Sequence, residues 1–359
     1  MSAYAERMDA EESRDIAMIE RVADERQRRE HSRGFVETPR KVVTVTLRDL
    51  LTRELPPREM LLAPWLTSQS LTMIHAWRGT GKTHVALGIA YALASGGTFL
   101  NWTAEAPVPV LYLDGEMPGS VLKERLAAIV DAADKEAPEG MLRLVTPDLQ
   151  PDGIMPDLGT REGQEAIEAE LGDAQVIVVD NISCLVRAGG KENDAESWGG
   201  VATWALRQRA HGRAVVFIHH SGKGGQQRGT SKREDILDTV LALRRPPDYT
   251  GDQGARFEIH FEKARALYGK SVDPIEAVLD RDEHGKQAWA FKDASNALHE
   301  RIIDMAELGL KKDAIAQELG CGRATVYRHL KDALDNGEVI PPKPRQRKRL
   351  TSHALGDET

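Results

Sequence analysis

The stretch "LTMIHAWRGTGKTHVALGIAYALASGG", Leu71 to Gly97, decides the fold. Leu71 to Ala76 is short and apolar and ends at a Gly/Arg/Thr cluster, so it reads as a buried strand. Thr83 to Ala94 has the length and the Ala/Leu content of a buried helix. Between them "AWRGTGKT", Ala76 to Thr83, fits the phosphate-binding pattern GxxxxGK[ST], with Ala76 in place of the first glycine. Gly79 and Gly81 let the backbone curl so that successive N–H groups point at phosphate oxygens, and the helix start adds its positive dipole end. Lys82 is then placed to reach the β- and γ-phosphates, and the Thr83 hydroxyl to hold Mg²⁺. The expected nucleotide-binding set is Ala76, Trp77, Arg78, Gly79, Thr80, Gly81, Lys82, Thr83 and His84, with ATP and Mg²⁺ as its ligands. No GxGxxG opens the helix, which argues against a dinucleotide-binding fold.

Outward from this turn, strand-like runs alternate with helical ones. The runs are Val108 to Asp114, Leu142 to Val145, Val176 to Asp180, Ala214 to His219, Thr239 to Arg245 and Phe257 to Arg265. Helices are expected over Val121 to Ala133, Gly163 to Leu171 and Ala195 to Ala210. Unbroken apolar strands separated by helices imply an α/β fold whose mostly parallel sheet is covered on both faces. Toward Phe257 the helices give out, so the last strands are expected to extend the sheet in antiparallel fashion. Four regions follow: a charged helical arm over 1–40, a core over 41–291 entered by a linker from Val42 to Trp65, a small all-α domain over 292–340, and a basic tail over 341–359.

The 359-residue chain suits two or three domains, and 41% hydrophobic with 29% charged residues describes an ordinary soluble protein. No apolar run approaches the roughly 18 to 20 residues that span a bilayer. The start of the chain is studded with Glu, Asp and Arg rather than carrying a signal peptide. Cys184 and Cys321 show no metal-ligand spacing and suit a reducing cytoplasm. A net charge of -8 gives no global sign of nucleic-acid binding. The tail "PPKPRQRKR", Pro341 to Arg349, nevertheless carries five basic residues and no acidic one.

A parallel sheet places ligand chemistry at the carboxyl ends of its strands. Asp180 closes "VIVV" and is expected to bind Mg²⁺ directly or through water. Glu116 follows "VLYLDG" and is placed to deprotonate the attacking water, while Asp114 braces the turn. His219 and His220, tandem at a strand end in "IHHSGKGG", are expected to sense the γ-phosphate through one of the two rings.

From about Val42 to Ala290 the chain resembles the RecA-like ATPases of the plasmid RepA and DnaB replicative helicase type. The resemblance rests on "AWRGTGKTHVALGIAYALASGG", "VLYLDGEMP", "VIVVDN", "FIHHSGK" and "RGTSKRED", in order and at similar spacing. It implies that Glu116 is the catalytic base and that His219 or His220 relays the state of the phosphates. It also implies a homo-oligomer, a six-membered ring with ATP at subunit interfaces. Basic residues of the neighbour complete each site; Lys263 and Arg265 in "FEKARALYG" match the family's "KxR" element and would lie on one face of a strand. Some plasmid helicases place a finger arginine after the "RGSS" element, where this chain runs "EDILDTV" without one. In such rings the Gly-rich loop lines a central channel, so Lys223, Arg228, Lys232 and Arg233 are expected to contact single-stranded DNA. Without aromatic residues for stacking, that grip would be electrostatic and salt-sensitive.

"LKKDAIAQELGCGRATVYRHLKDALDNGEV", Leu310 to Val339, has the pattern of a helix-turn-helix. Ile315, Leu319, Val326 and Leu330 are spaced to meet in a small core, and Gly320 or Gly322 permits the turn. The second helix would present Arg323, Thr325, Tyr327 and Arg328 to the major groove of duplex DNA. The segment is similar to the resolvase-type "GxSRATVYRxL", with Cys321 and Gly322 at the positions where that pattern prefers valine and serine.

Together these features point to a cytoplasmic, ATP-hydrolysing DNA-binding protein of a mobile element or plasmid, either a ring-forming replicative helicase or a DNA-loading ATPase. The rival expectation is a regulator in which ATP switches the oligomeric state and the helix-turn-helix acts at a promoter. A small-metabolite kinase gives no reason to carry the helix-turn-helix.

Overall fold

The computed structural model describes residues 42–187, 195–221 and 235–337. The expected N-terminal arm, the channel-loop residues Lys223, Arg228, Lys232 and Arg233, and the basic tail lie outside the described residues. Contacts divide the chain into two units, Met1–Pro57 and Arg58–Thr359. In the first, helix α1 (Leu47–Thr52) forms where a linker was expected, because Thr46 and Asp49 build a reciprocal capping box.

The second unit opens with a small hairpin, β1 (Met60–Leu62) and β2 (Leu66–Thr67), before strand β3 (Leu71–Ala76) and helix α2 (Lys82–Ser95). The chain continues through the hairpin β4 (Thr98–Phe99) and β5 (Trp102–Thr103), then β6 (Val110–Asp114), α3 (Gly119–Ala132), β7 (Leu142–Val145) and α4 (Arg161–Ala169). Next come β8 (Val176–Asp180), the short α5 (Ile182–Leu185), α6 (Ala195–Ala210), β9 (Ala214–His220) and β10 (Thr239–Arg244). Strands β11 (Arg256–Ala264), β12 (Ile275–Arg281) and β13 (Gln287–Asp293) precede three helices, α7 (Ala294–Glu307), α8 (Lys312–Glu318) and α9 (Arg323–Asn336).

Among the described residues, nine strands form one sheet in the order β13-β12-β11-β10-β3-β9-β8-β6-β7. From β7 to β10 all neighbours are parallel. From β10 to β13 they are antiparallel. This is the α/β architecture expected of a RecA-like core. The two-sided burial is written into each parallel strand. In β8, Val176 and Val178 join the apolar cluster under α2, while Ile177 and Val179 join the opposite cluster with Trp198, Trp204 and Leu185. Strand β6 does the same with Val110 and Tyr112 against Leu111 and Leu113.

Helix α2 is buried nearly all round, which explains its unpatterned Ala/Leu composition. It ends at Gly96, whose φ of 64° gives the left-handed cap. The last two sheet strands were not anticipated, because β12 and β13 are only half buried and lack long apolar runs. The sheet ends at Asp293, whose carboxylate caps α7 by accepting from Ser295 N and Asn296 N. Ile302, Ile315, Leu319 and Val326 form the core of the three-helix region, with Leu330 packed against it. Gly320, at φ +56°, makes the α8–α9 turn. Among the described residues no helix is long and apolar enough to cross a membrane.

Candidate active site

The loop between β3 and α2 sits where the central strand of the sheet ends. Gly79 (φ +73°) and Gly81 (φ +119°) hold the left-handed conformations that let it curl. Gly81 is further fixed by packing, since a Cβ there would lie 2.9 Å from the Phe257 ring. The loop closes on itself: Thr80 Oγ1 donates to Trp77 O at 2.9 Å, and Lys82 Nζ donates to Ala76 O and Trp77 O, both at 3.1 Å.

A cleft of about 1000 Å³ opens over this loop and is lined by Arg78, Gly79, Gly81, Lys82, Thr83, His84, Glu116, Asp180 and His220. Ala76, Trp77 and Thr80 do not line this cleft. Ala76 is buried in β3, Trp77 turns outward, and Thr80 is spent on holding the loop shut.

Asp180, at the end of β8, is nearly inaccessible. Tyr112 Oη donates to its Oδ2 at 2.6 Å, and Thr83 hydrogen-bonds the same carboxylate. Burial pushes the Asp180 carboxyl up to about 6 against these hydrogen bonds. Burial also lowers the Lys82 ammonium to about 8, with Asp180 and Glu116 opposing the shift. Among the described residues no three His, Cys, Asp or Glu side chains gather into a metal cage. A Thr hydroxyl beside one carboxylate is instead the hard-oxygen donor set that suits Mg²⁺, an ion that takes few protein ligands and shares the phosphates of its nucleotide.

Glu116 is placed by the turn that follows β6. Asp114 braces that turn as expected, its Oδ1 accepting from Glu116 N at 3.4 Å and Met117 N at 3.3 Å. Thr146 Oγ1 donates to Asp114 Oδ2 at 3.3 Å, and Gly115 N donates to Asp180 O at 2.7 Å. The Glu116 side chain stays largely open to the cleft, 62% exposed. Asn181 Nδ2 donates to its Oε2 at 2.5 Å, and His220 Nε2 lies 3.8 Å from the same oxygen.

The pleat of β9 separates the tandem histidines. His220 faces the cleft; His219 is fully buried beside His75 and is removed from the candidate sensors. His75, one residue before the loop, ties β3 to β11 and to the residue that follows β9: its Nδ1 lies 2.9 Å from Ser221 Oγ and its Nε2 2.7 Å from Glu262 Oε2. Arg244 Nη2 donates to Glu262 Oε1 at 2.7 Å. The His75 hydrogen bond and the Arg244 guanidinium hold the Glu262 carboxyl down at about 2.

Lys263 and Arg265 are not brought to this cleft. Ala264 pairs with Thr239, which pairs with Thr72, so this end of β11 lies at the amino-terminal edge of β3, opposite the loop. Arg265 falls one residue past the strand, where its Nη2 donates to Asp235 O at 2.7 Å. The expectation that both side chains share one strand face is corrected accordingly. On α9, Arg323, Tyr327 and Arg328 are exposed, whereas Thr325 is half-buried. Arg323 Nε lies 3.1 Å from Asp313 Oδ1, and Lys312 Nζ sits over the Tyr327 ring at 4.5 Å.

Sequence reasoning missed Asn181, Arg125, Gly254, Ala255 and Arg245. All but Arg245 line the cleft, and Arg245 Nη2 donates to Gly79 O at 3.0 Å. Asn181 carried one signal, its place directly after the strand-end Asp180. The others carried none, because only packing brings them to the loop.

Residues 37–226 match the family model described as AAA domain. Among solved structures the chain is similar to a KaiC-like protein from the hyperthermophilic archaeon Pyrococcus horikoshii OT3. The identity is 14%, the match covers 64% of this chain and 93% of that chain, and the TM-score is 0.44.

Proposed function

The chain belongs to the AAA-domain family of P-loop ATPases, and on that footing we propose that it hydrolyses ATP as a ring-forming motor or loader acting on DNA, akin in role to RepA-type replicative helicases. One observation carries the reading: Glu116, held by Asn181, faces the same cleft as Lys82, Thr83 and Asp180. Lys82 would leave the carbonyls it now occupies for the β- and γ-phosphates. Thr83 and Asp180 would hold Mg²⁺, which when bound neutralises charge on the phosphates. Glu116, open to solvent yet oriented by Asn181, suits a base that takes a proton from water. His220 stands close enough to Glu116 to report whether the γ-phosphate is present.

The position of Lys263 and Arg265 at the far edge of the sheet supports action on a neighbour's ATP rather than on their own. An arginine finger of this kind raises turnover by about 10³ to 10⁵. The resemblance to replicative helicases supports a ring and a single-stranded DNA channel formed by the loop after β9.

The test is ATPase activity with and without single-stranded DNA, followed by displacement of a labelled strand from a forked duplex. Stimulation by single strands together with displacement supports the motor; stimulation alone supports the loader. The second reading, an ATP-switched regulator, is favoured by the exposed Arg323, Tyr327 and Arg328 on α9, a surface suited to duplex DNA. Binding to a duplex site, with an ATPase indifferent to single strands, decides for the regulator.

A further inference from the structure

The segment between β10 and β11 touches the nucleotide loop at its ends and the C-terminal helices at its middle. At the loop, Arg245 donates to Gly79 O at 3.0 Å, and its guanidinium stacks over the Tyr249 ring at 4.2 Å. Tyr249 Oη donates to Gly254 O at 2.9 Å, and Gly254 with Ala255 forms a wall of the cleft. At the helices, Asp248 pairs with Arg256 Nη2 at 3.0 Å and with Arg301 Nη1 of α7 at 3.5 Å. Glu276 closes the set, accepting from Arg256 Nε at 2.9 Å and Arg301 Nη1 at 2.7 Å. Pro247 meanwhile lies against Gly320 in the α8–α9 turn, where a Cβ would come within 2.9 Å of it.

We propose that Arg245 to Arg256 couples nucleotide occupancy of the cleft to the placement of the three C-terminal helices. A triphosphate arriving at Gly79 brings anionic oxygens to the guanidinium that now rests on the Gly79 carbonyl, and charge-assisted bonds compete for it. Moving Arg245 disturbs its stack on Tyr249 and, through the Tyr249 hydroxyl, the Gly254 wall. The same segment is clamped to α7 through buried Arg256 and Glu276 and the partly buried Asp248 and Arg301, so it cannot shift without carrying α7 or breaking those pairs. Pro247 presses on the turn that sets the angle of α9. Coupling of this kind is reciprocal: a ligand that favours one placement of α9 alters nucleotide affinity by the same factor. The DNA side of this coupling rests on α9 being a duplex-binding helix.

The test uses the full chain, a non-hydrolysable ATP analogue with Mg²⁺, and a labelled duplex of mixed sequence. Hydrogen exchange is followed in α7 and in residues 319–322 for the wild type, Arg301→Ala and the milder Asp248→Asn. Bound analogue is expected to change exchange there in the wild type. The variants are expected to lose most of that change while binding the analogue within about twofold of wild type. Duplex affinity is expected to differ about fivefold or more between the two nucleotide states. Analogue that binds without altering exchange overturns the proposal, as does a response that survives in every folded variant. An exchange response without any duplex binding supports the coupling and refutes only the DNA role of α9. Failure of the analogue to bind overturns the proposal together with the nucleotide reading beneath it.

Discussion

Asn181 Nδ2 donates to Glu116 Oε2 at 2.5 Å, joining the ends of β8 and β6 at the carboxylate that faces the cleft. Asn181 makes no claim on the proton chemistry and instead fixes where that carboxylate points. Glu116→Gln is expected to keep nucleotide binding and lower turnover by about 10²- to 10⁴-fold. Asn181→Ala should lower kcat by a smaller factor with KM little changed. Steady-state kinetics and calorimetry check both, and a parallel loss of binding in Glu116→Gln removes it from the role of base.

Lys82→Ala is expected to behave differently, because Lys82 is proposed to contact the phosphates itself. Loss of a charged hydrogen-bond donor of about 1.5–3 kcal/mol predicts roughly 10- to 100-fold weaker nucleotide binding as well as lost turnover. Calorimetric titration with Mg²⁺ and the ATP analogue measures it; unchanged affinity would place the phosphates elsewhere.

The two buried charges give nucleotide affinity a defined pH window. Lys82, lowered to about 8, must gain a proton to hold a phosphate above that pH, and Asp180, raised to about 6, must lose one to hold Mg²⁺ below it. Affinity is therefore expected to be greatest between these values and to fall outside them by up to about tenfold per pH unit on each side. Dissociation constants measured in acid, neutral and alkaline buffers supply the check. Asp180→Asn should abolish the acid limb and, by removing a charge that holds the Lys82 value up, move the alkaline limb to lower pH.

If the cation at the far sheet edge serves a neighbour, two inactive proteins should repair each other. Arg265→Ala subunits retain a whole cleft and Lys82→Ala subunits retain the arginine. Mixing them is expected to restore part of the hydrolysis, as judged by phosphate release across mixing ratios. Absence of recovery at every ratio argues that Arg265, whose guanidinium is engaged by Asp235 O, is a structural residue.

Gly88 tests the packing of α2. A Cβ there would come within 2.2 Å of the Phe99 ring, so Gly88→Ala is expected to cost about 1–3 kcal/mol by overpacking, despite alanine's better helix propensity. Denaturant midpoints decide; a neutral or stabilising result would mean that Phe99 swings aside freely.

The parts of the site that the sequence disclosed are those that adjacent residues define. Lys82 and Thr83 follow from a spacing, Asp180 from the end of an apolar run, and Glu116 from its place just past another. The pairing of Asn181 with Glu116 depends on β6 and β8 lying side by side, which no local pattern states. Arg245 reaches Gly79 across 166 residues of chain. Strands β12 and β13 escaped because each leaves much of its surface to solvent and so lacks the unbroken apolar signature of the parallel strands. The choice between His219 and His220 needed only the period of two, but it also needed to be known which face of β9 met the cleft.

His75 spends both ring nitrogens, one on Ser221 and one on Glu262, and Glu262 in turn holds Arg244. Deleting the Ser221 hydroxyl or the Glu262 carboxylate leaves a nitrogen of the buried His75 ring without its partner. Descent with modification should therefore leave a signature: across homologous chains the four positions are expected to covary, retained as a quartet or exchanged as one, while the neighbouring apolar positions drift independently.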